Sequence, residues 1–208
     1  MTRILHISSS PRGTASESQA LAQTFLDTYL SDHDDATVDT WDLWDGTLPT
    51  FGFHGASAKM TAFGGTAPEG DDAPVWAQAR AAFDRFDAAD LYVFNVPMWN
   101  AGVPYVLKQW IDIITQPGWV YGFTPTDGYQ GLLTDKKAVV AYTSGVYSPG
   151  AAPAFGSDFH STFFNDWLRF AGITDITELR FQPTILTATP AEDRGAAHAT
   201  ARHLAATL

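Results

Sequence analysis

Apolar positions along this chain change period repeatedly, short strand-like runs giving way to helical stripes. "RILHIS" (Arg3 to Ser8) is a brief apolar run that predicts a first strand. "SESQALAQTFLDTYLSD" then carries Leu21, Phe25 and Tyr29 on one stripe, with Ala22, Leu26 and Leu30 beside it, which predicts a helix. "ATVDTWDL" (Ala36 to Leu43) alternates apolar and polar residues as a half-exposed strand does. From Pro49 to Pro74 the chain is rich in Gly, Ala, Thr and Pro, which predicts a long surface loop with a short helix near Ser57 to Phe63.

"APVWAQARAAFDRFDAA" restores the helical period, and "DLYVFNVP" (Asp90 to Pro97) is a nearly continuous apolar run. Such a run suits a central parallel strand covered on both faces. "VPYVLKQWIDIIT" predicts a third helix with Pro104 in its first turn. The aromatic, turn-rich "GWVYGFTPTDGYQGLL" predicts a hairpin or lobe, and "KKAVVAYTSG" (Lys136 to Gly145) another buried strand. "HSTFFNDWLRFAGI", "TDITELRFQPT" and "AEDRGAAHATARHLAA" complete the alternation as helix, strand and helix. Strands alternating with helices, without repeat or linker, predict one doubly wound α/β domain over residues 1–208. Ligands of such sheets sit beyond the carboxyl ends of the strands. That rule singles out "SSSPRGTASES", "PMWNAG" and "TSGVYSPG".

Composition narrows the chemistry. A net charge of -11 disfavours nucleic acid and anionic membranes as partners, so an anionic ligand has to be held locally. The chain has no cysteine, which excludes disulfides, thiolate metal sites and a cysteine nucleophile. No run approaches the ~18 apolar residues of a membrane-crossing helix, and no signal peptide is visible, so the expectation is a cytoplasmic protein without a membrane partner.

The turn after the first strand offers backbone N–H groups, a helix dipole and the hydroxyls of Ser10, Ser16 and Ser18, with Arg12 the nearby cation. It lacks both the Gly-Lys-Ser/Thr of a P-loop and G-x-G-x-x-G, so a terminal phosphate monoester fits better than a pyrophosphate. A simple helix cap with loop filler explains the same serines. In "PMWNAG", Pro97 stops the strand, Met98 and Trp99 offer polarizable surface, and Asn100 offers a donor and an acceptor. In "TSGVYSPG", Thr143 and Ser144 supply hydroxyls and Gly145 permits close backbone approach. His6 reads as a packed or hydrogen-bonded core residue, and His33, His198 and His203 as surface residues without metal-ligand spacing. His54 and His160 are candidates to approach a substrate, and "SDHDDA" reads as a solvated turn.

"SSSPRGTASES", "PMWNAGVPYVLKQWIDII", "KKAVVAYTSG" and "FAGITDI" together resemble the FMN-dependent NADH-azoreductase and quinone reductase family of flavodoxin-like proteins. The resemblance spans nearly the whole chain in order. It implies a flavodoxin-like, doubly wound five-stranded parallel sheet (order 2-1-3-4-5) with helices on both faces. It also implies FMN as cofactor and NADH or NADPH as reductant, with quinones and azo compounds reduced in ping-pong fashion. By position, Ser10, Ser16, Ser18 and the amide of Glu17 match the phosphate-binding residues. Pro97, Met98, Trp99, Asn100 and Ala101 match the segment lining the isoalloxazine ring, and Thr143, Ser144 and Gly145 the loop near its pyrimidine side. Members are homodimers with active sites at the interface, and Tyr121 or Phe123 resembles the aromatic from the facing subunit. No catalytic side chain and no metal is implied. Two departures stand out: "MWNA" replaces the common "MYNF", and Ser144 and Val146 replace an arginine and a glycine. A flavodoxin-like electron carrier, another NAD(P)H:FMN reductase and a differently liganded relative of the fold are the competing readings.

Overall fold

The computed structural model describes residues 1–208. Five parallel strands form one sheet in the order β2-β1-β3-β6-β7. They are β1 (Arg3–Ser8), β2 (Thr37–Asp42), β3 (Leu91–Pro97), β6 (Lys137–Thr143) and β7 (Asp175–Phe181). Counted without the separate hairpin, this is the expected order 2-1-3-4-5. The hairpin is β4 (Tyr121–Thr124) paired antiparallel with β5 (Gly128–Gly131), where the aromatic stretch predicted it.

Six helices flank the sheet: α1 (Glu17–Asp32), α2 (Phe53–Phe63), α3 (Asp72–Asp87), α4 (Tyr105–Ile114), α5 (Ser161–Ala171) and α6 (Pro190–Ala205). The two-residue period of the strands sorts them into layers. Leu5, Ile7, Tyr92, Phe94, Val140 and Tyr142 face α3, α4 and α5 in a core rich in aromatic rings. Ile4, Leu91, Val93, Val139 and Ala141 face α1 and α6. There Ala197, Ala201 and Ala205 recur every helical turn and let α6 lie close against α1. Buried on both faces, β3 needs apolar side chains at almost every position, hence the unbroken run read in the sequence.

Two local expectations change. The stretch from Pro49 to Pro74 is not mainly loop: α2 spans eleven residues and α3 already begins at Asp72. Its glycines and threonines weaken the helical signal, and tertiary contacts supply what propensity lacks. Gly55 admits the Phe51 ring, which a Cβ there would meet at 2.7 Å, and Lys59 Nζ donates to the Thr115 carbonyl at 3.1 Å. Pro104 stands at the N-cap of α4 rather than inside its first turn.

The hairpin is seated on the end of α5 through two glycines. A Cβ on Gly131 would lie 2.3 Å from the Gly172 nitrogen, while Gly172 ends α5 in the left-handed conformation at φ 103°. Leu133 N donates to the Ala171 carbonyl at 3.0 Å across the same contact. Backbone cannot yield as a flexible side chain does, so Gly131→Ala is expected to destabilise the protein by about 1–3 kcal/mol. Urea unfolding measures this, and an unchanged midpoint would show that the hairpin is not seated this way.

Candidate functional site

The three segments singled out from the sequence converge at the carboxyl ends of β1, β3 and β6. After β1, Ser10, Ser16 and Ser18 are all buried. Ser16 is the N-cap of α1: its hydroxyl accepts from Gln19 N at 3.3 Å and lies 3.1 Å from Ser18 Oγ. Ser10 Oγ accepts weakly from Arg12 N at 3.4 Å, and Arg12 itself is exposed. Ser9 belongs to the scaffold, since its hydroxyl donates to the Asn95 carbonyl at 2.7 Å. Glu17 is the acid nearest the helix start, and Arg194 of α6 holds its carboxylate at 2.8 Å. Hydroxyls and first-turn amides are a donor set suited to a small dianion, and the ion pair with Arg194 offsets the charge of the Glu17 carboxylate beside it.

Beyond β3, Met98 N donates to the Thr143 carbonyl at 2.7 Å, tying this loop to the end of β6. Trp99 and Gly102 exchange backbone hydrogen bonds of 2.8 and 2.9 Å around a tight turn. Asn100 and Ala101 at its tip both have positive φ, 49° and 67°. For non-glycine residues this left-handed conformation costs of order 1 kcal/mol each. Trp99 packs against Trp44 and Tyr105, with ring centroids 5.6 and 6.1 Å away. Trp99, Val103, Tyr105, Phe159 and Phe163 line an open cavity of about 450 Å³, with Lys108 at its side.

Beyond β6, Thr143 and Ser144 are buried. Ser144 Oγ donates to the Tyr147 carbonyl at 2.6 Å, so this hydroxyl helps fold its own loop. Gly145 accepts from Ile185 N and Leu186 N at 2.9 and 3.1 Å, and a Cβ there would meet Ile185 Cδ1 at 3.2 Å. In the hairpin, Tyr121 is enclosed by Tyr129 and Phe170 of its own chain, whereas Phe123 is half exposed.

The family described as the flavodoxin-like fold matches residues 2–205. An FMN-dependent NADH:quinone oxidoreductase of Ruegeria pomeroyi is 48% identical over 91% of this chain and 93% of its own. A protein of the same description from Desulfotalea psychrophila is 38% identical over 89% and 87%. The chain belongs to the FMN-dependent NADH:quinone oxidoreductase family of flavodoxin-like proteins. Among solved structures, an azoreductase from Bacillus anthracis superposes with a TM-score of 0.91 at 26% identity, covering 100% of both chains.

Within this family fold the histidines take settled places. His6 is buried with Nε2 2.9 Å from Asn95 Oδ1, as a core histidine should be. His54 is exposed and pairs with Asp72 at 2.7 Å. His33 and His198 are only partly exposed: the first stacks on Tyr29 and the second sits with Nδ1 2.7 Å from Thr24 Oγ1. His160 departs from expectation. It is 0% exposed and its Nε2 is committed to the Val96 carbonyl at 2.9 Å, so the ring serves the fold rather than an open substrate surface. Sequence reasoning missed Trp44, Tyr105, Phe159 and Ile185 as neighbours of the site. Only Trp44, just past the second strand end, had a positional signal.

Burial pushes His160 down to about 4, against the opposing pulls of the Val96 carbonyl and Asp158. The unfolded chain binds this proton near pH 6.5, so between about pH 6.5 and 4 it holds more protons than the folded one. Stability from neutral His160 is therefore complete above that window and falls by up to about 3 kcal/mol on acidification through it. His6, lowered by burial as well, acts in the same direction. Urea unfolding from pH 7 to pH 4.5 should show this loss, and His160→Gln should flatten it. Parallel curves for the two proteins would refute the assignment.

Proposed function

We propose that the chain binds FMN across the ends of β1, β3 and β6 and passes two electrons from NADH to quinones and azo compounds. Bound there, FMN would supply the two-electron redox chemistry, with reductant and acceptor taking the site in turn, in ping-pong order. The observation that carries the reading is the set of three buried hydroxyls, Ser10, Ser16 and Ser18, at the positive end of α1. The names of the relatives support the cofactor, the reductant and the quinone acceptor.

The chain's own work in this reading is binding and orientation. Ser10, Ser16, Ser18 and the Glu17 amide hold the phosphate, while Arg194 keeps the Glu17 carboxylate from opposing it. Pro97 to Ala101 line the ring, and Asn100, at the tip of the left-handed turn, offers a donor and an acceptor to its edge. Thr143 to Gly145 approach the pyrimidine side, where donors stabilise the added negative charge. No side chain is needed as acid or base, so no catalytic residue is assigned. The apolar walls of Trp99, Phe159 and Phe163 suit a planar aromatic acceptor. Phe123, exposed on the hairpin, supports a homodimer in which each copy lends an aromatic ring to its partner's site.

Two measurements test the reading. The purified protein should carry or take up FMN, and NADH without oxygen should bleach its visible bands. Steady NADH oxidation with a quinone would then separate an enzyme from an electron carrier. Replacing Ser16 and Ser18 together by Ala should weaken FMN binding on the order of a hundredfold, because hydrogen bonds to a charged group are the strong ones. Unchanged affinity would leave these serines as cap and loop only.

A further inference from the structure

We propose that His160, together with the backbone of Phe159, positions the loop 97–101 by gripping both of its ends. This rests on the FMN reading above and names residues outside the binding segments. The exchange between Trp99 and Gly102 closes the turn but does not fix its attitude to the sheet. Three bonds from outside the turn do so. Met98 N donates to the Thr143 carbonyl at 2.7 Å, His160 Nε2 to the Val96 carbonyl at 2.9 Å, and Phe159 N to the Ala101 carbonyl at 3.1 Å. Two of the three come from adjacent residues at the start of α5. They bracket the only two consecutive non-glycine residues with positive φ, Asn100 and Ala101. Such conformations persist where the surroundings over-determine them.

The chemistry of His160 argues for this grip over simple packing. A carbonyl only accepts, so Nε2 carries the proton and Nδ1 is a bare lone pair. That Nδ1 is buried without a partner, a penalty that an apolar side chain of similar size would avoid. The Val96 bond is what the imidazole gains in return. The gripping segment is itself anchored. Asp158 Oδ1 accepts from His160 N and Ser161 N at 3.1 and 2.7 Å, and Arg180 lies 3.8 Å from Asp158 while donating to Ser161 Oγ at 2.8 Å. The imidazole also meets Tyr142 edge-on at 4.8 Å, and Tyr142 OH donates to Asn165 Oδ1 at 2.8 Å. A rigid helix start thus sets where the ring-lining loop stands.

The test uses three variants and two probes. His160→Leu removes the donor, His160→Asn places it where Nδ1 stood, and His160→Gln returns it toward Val96. Binding of FMN and of riboflavin, which has the ring without the phosphate, is followed by quenching of flavin fluorescence. The Leu and Asn variants should weaken both flavins equally, by about tenfold, and Gln should restore binding to within about threefold of the parent. The Ser16/Ser18 double variant should weaken FMN alone, which separates the ring end from the phosphate end. If the Leu variant fails to fold, Asn against Gln decides, with the Tm of the ligand-free proteins as the check on folding. Equal affinities in all three variants, a loss confined to FMN, or a parent that binds FMN but not riboflavin would overturn the inference. A parent that binds neither flavin sinks the FMN reading first, and this one with it.

Discussion

The last carbonyls of β3 hold the functional face together. Asn95 O accepts from Ser9 N and Ser9 Oγ, which ties down the serine-rich turn on one side. Val96 O accepts from His160, and Met98 N reaches across to Thr143 on the other side. Every loop of the candidate site is therefore fastened to the end of one central strand. That strand is paired along both edges and buried on both faces, so its end has little freedom to move. Loops that carry function need such a scaffold, because their own contacts are too few to fix them.

Polarity is placed under the same constraint. A chain of net charge -11 has no general field to attract an anion. In the proposed reading the turn after β1 answers this locally, with buried hydroxyls above a helix N-terminus and its one acid paired to Arg194. Beneath it His6 and Asn95 bond each other, while Asn95 Nδ2 finds no partner. On the opposite face of the sheet, Arg180 links Asp158, Glu178 and Ser161 at the start of α5. Both polar clusters lie just under the strand ends, and the deeper layers are apolar.

Legibility followed the range of the interactions. The strands β1, β3 and β6 were read closely because burial on both faces demands continuous apolar runs. The hairpin announced itself through glycines and aromatic rings. The helix α2 was legible from Ser57 to Phe63 but not in its first turn, since Gly55 acts there by admitting the Phe51 ring and leaves no local period. His160 stayed open as a candidate to approach a substrate because a histidine at a helix start looks the same whether it faces outward or inward.

The sequence by itself determined the alternation of strands and helices, the five-stranded sheet and the three strand ends that make up the candidate site. Those follow from periodicity and from the rule that parallel strands present their carboxyl ends to ligands. Only the tertiary structure decided which side chains stand guard around them. The left-handed turn at Asn100 and Ala101, the grip of His160 on Val96 and the enclosure of Tyr121 all depend on contacts between elements far apart in the chain. Hydrophobic periods record which face of an element is buried, but a single long-range hydrogen bond has no period to read.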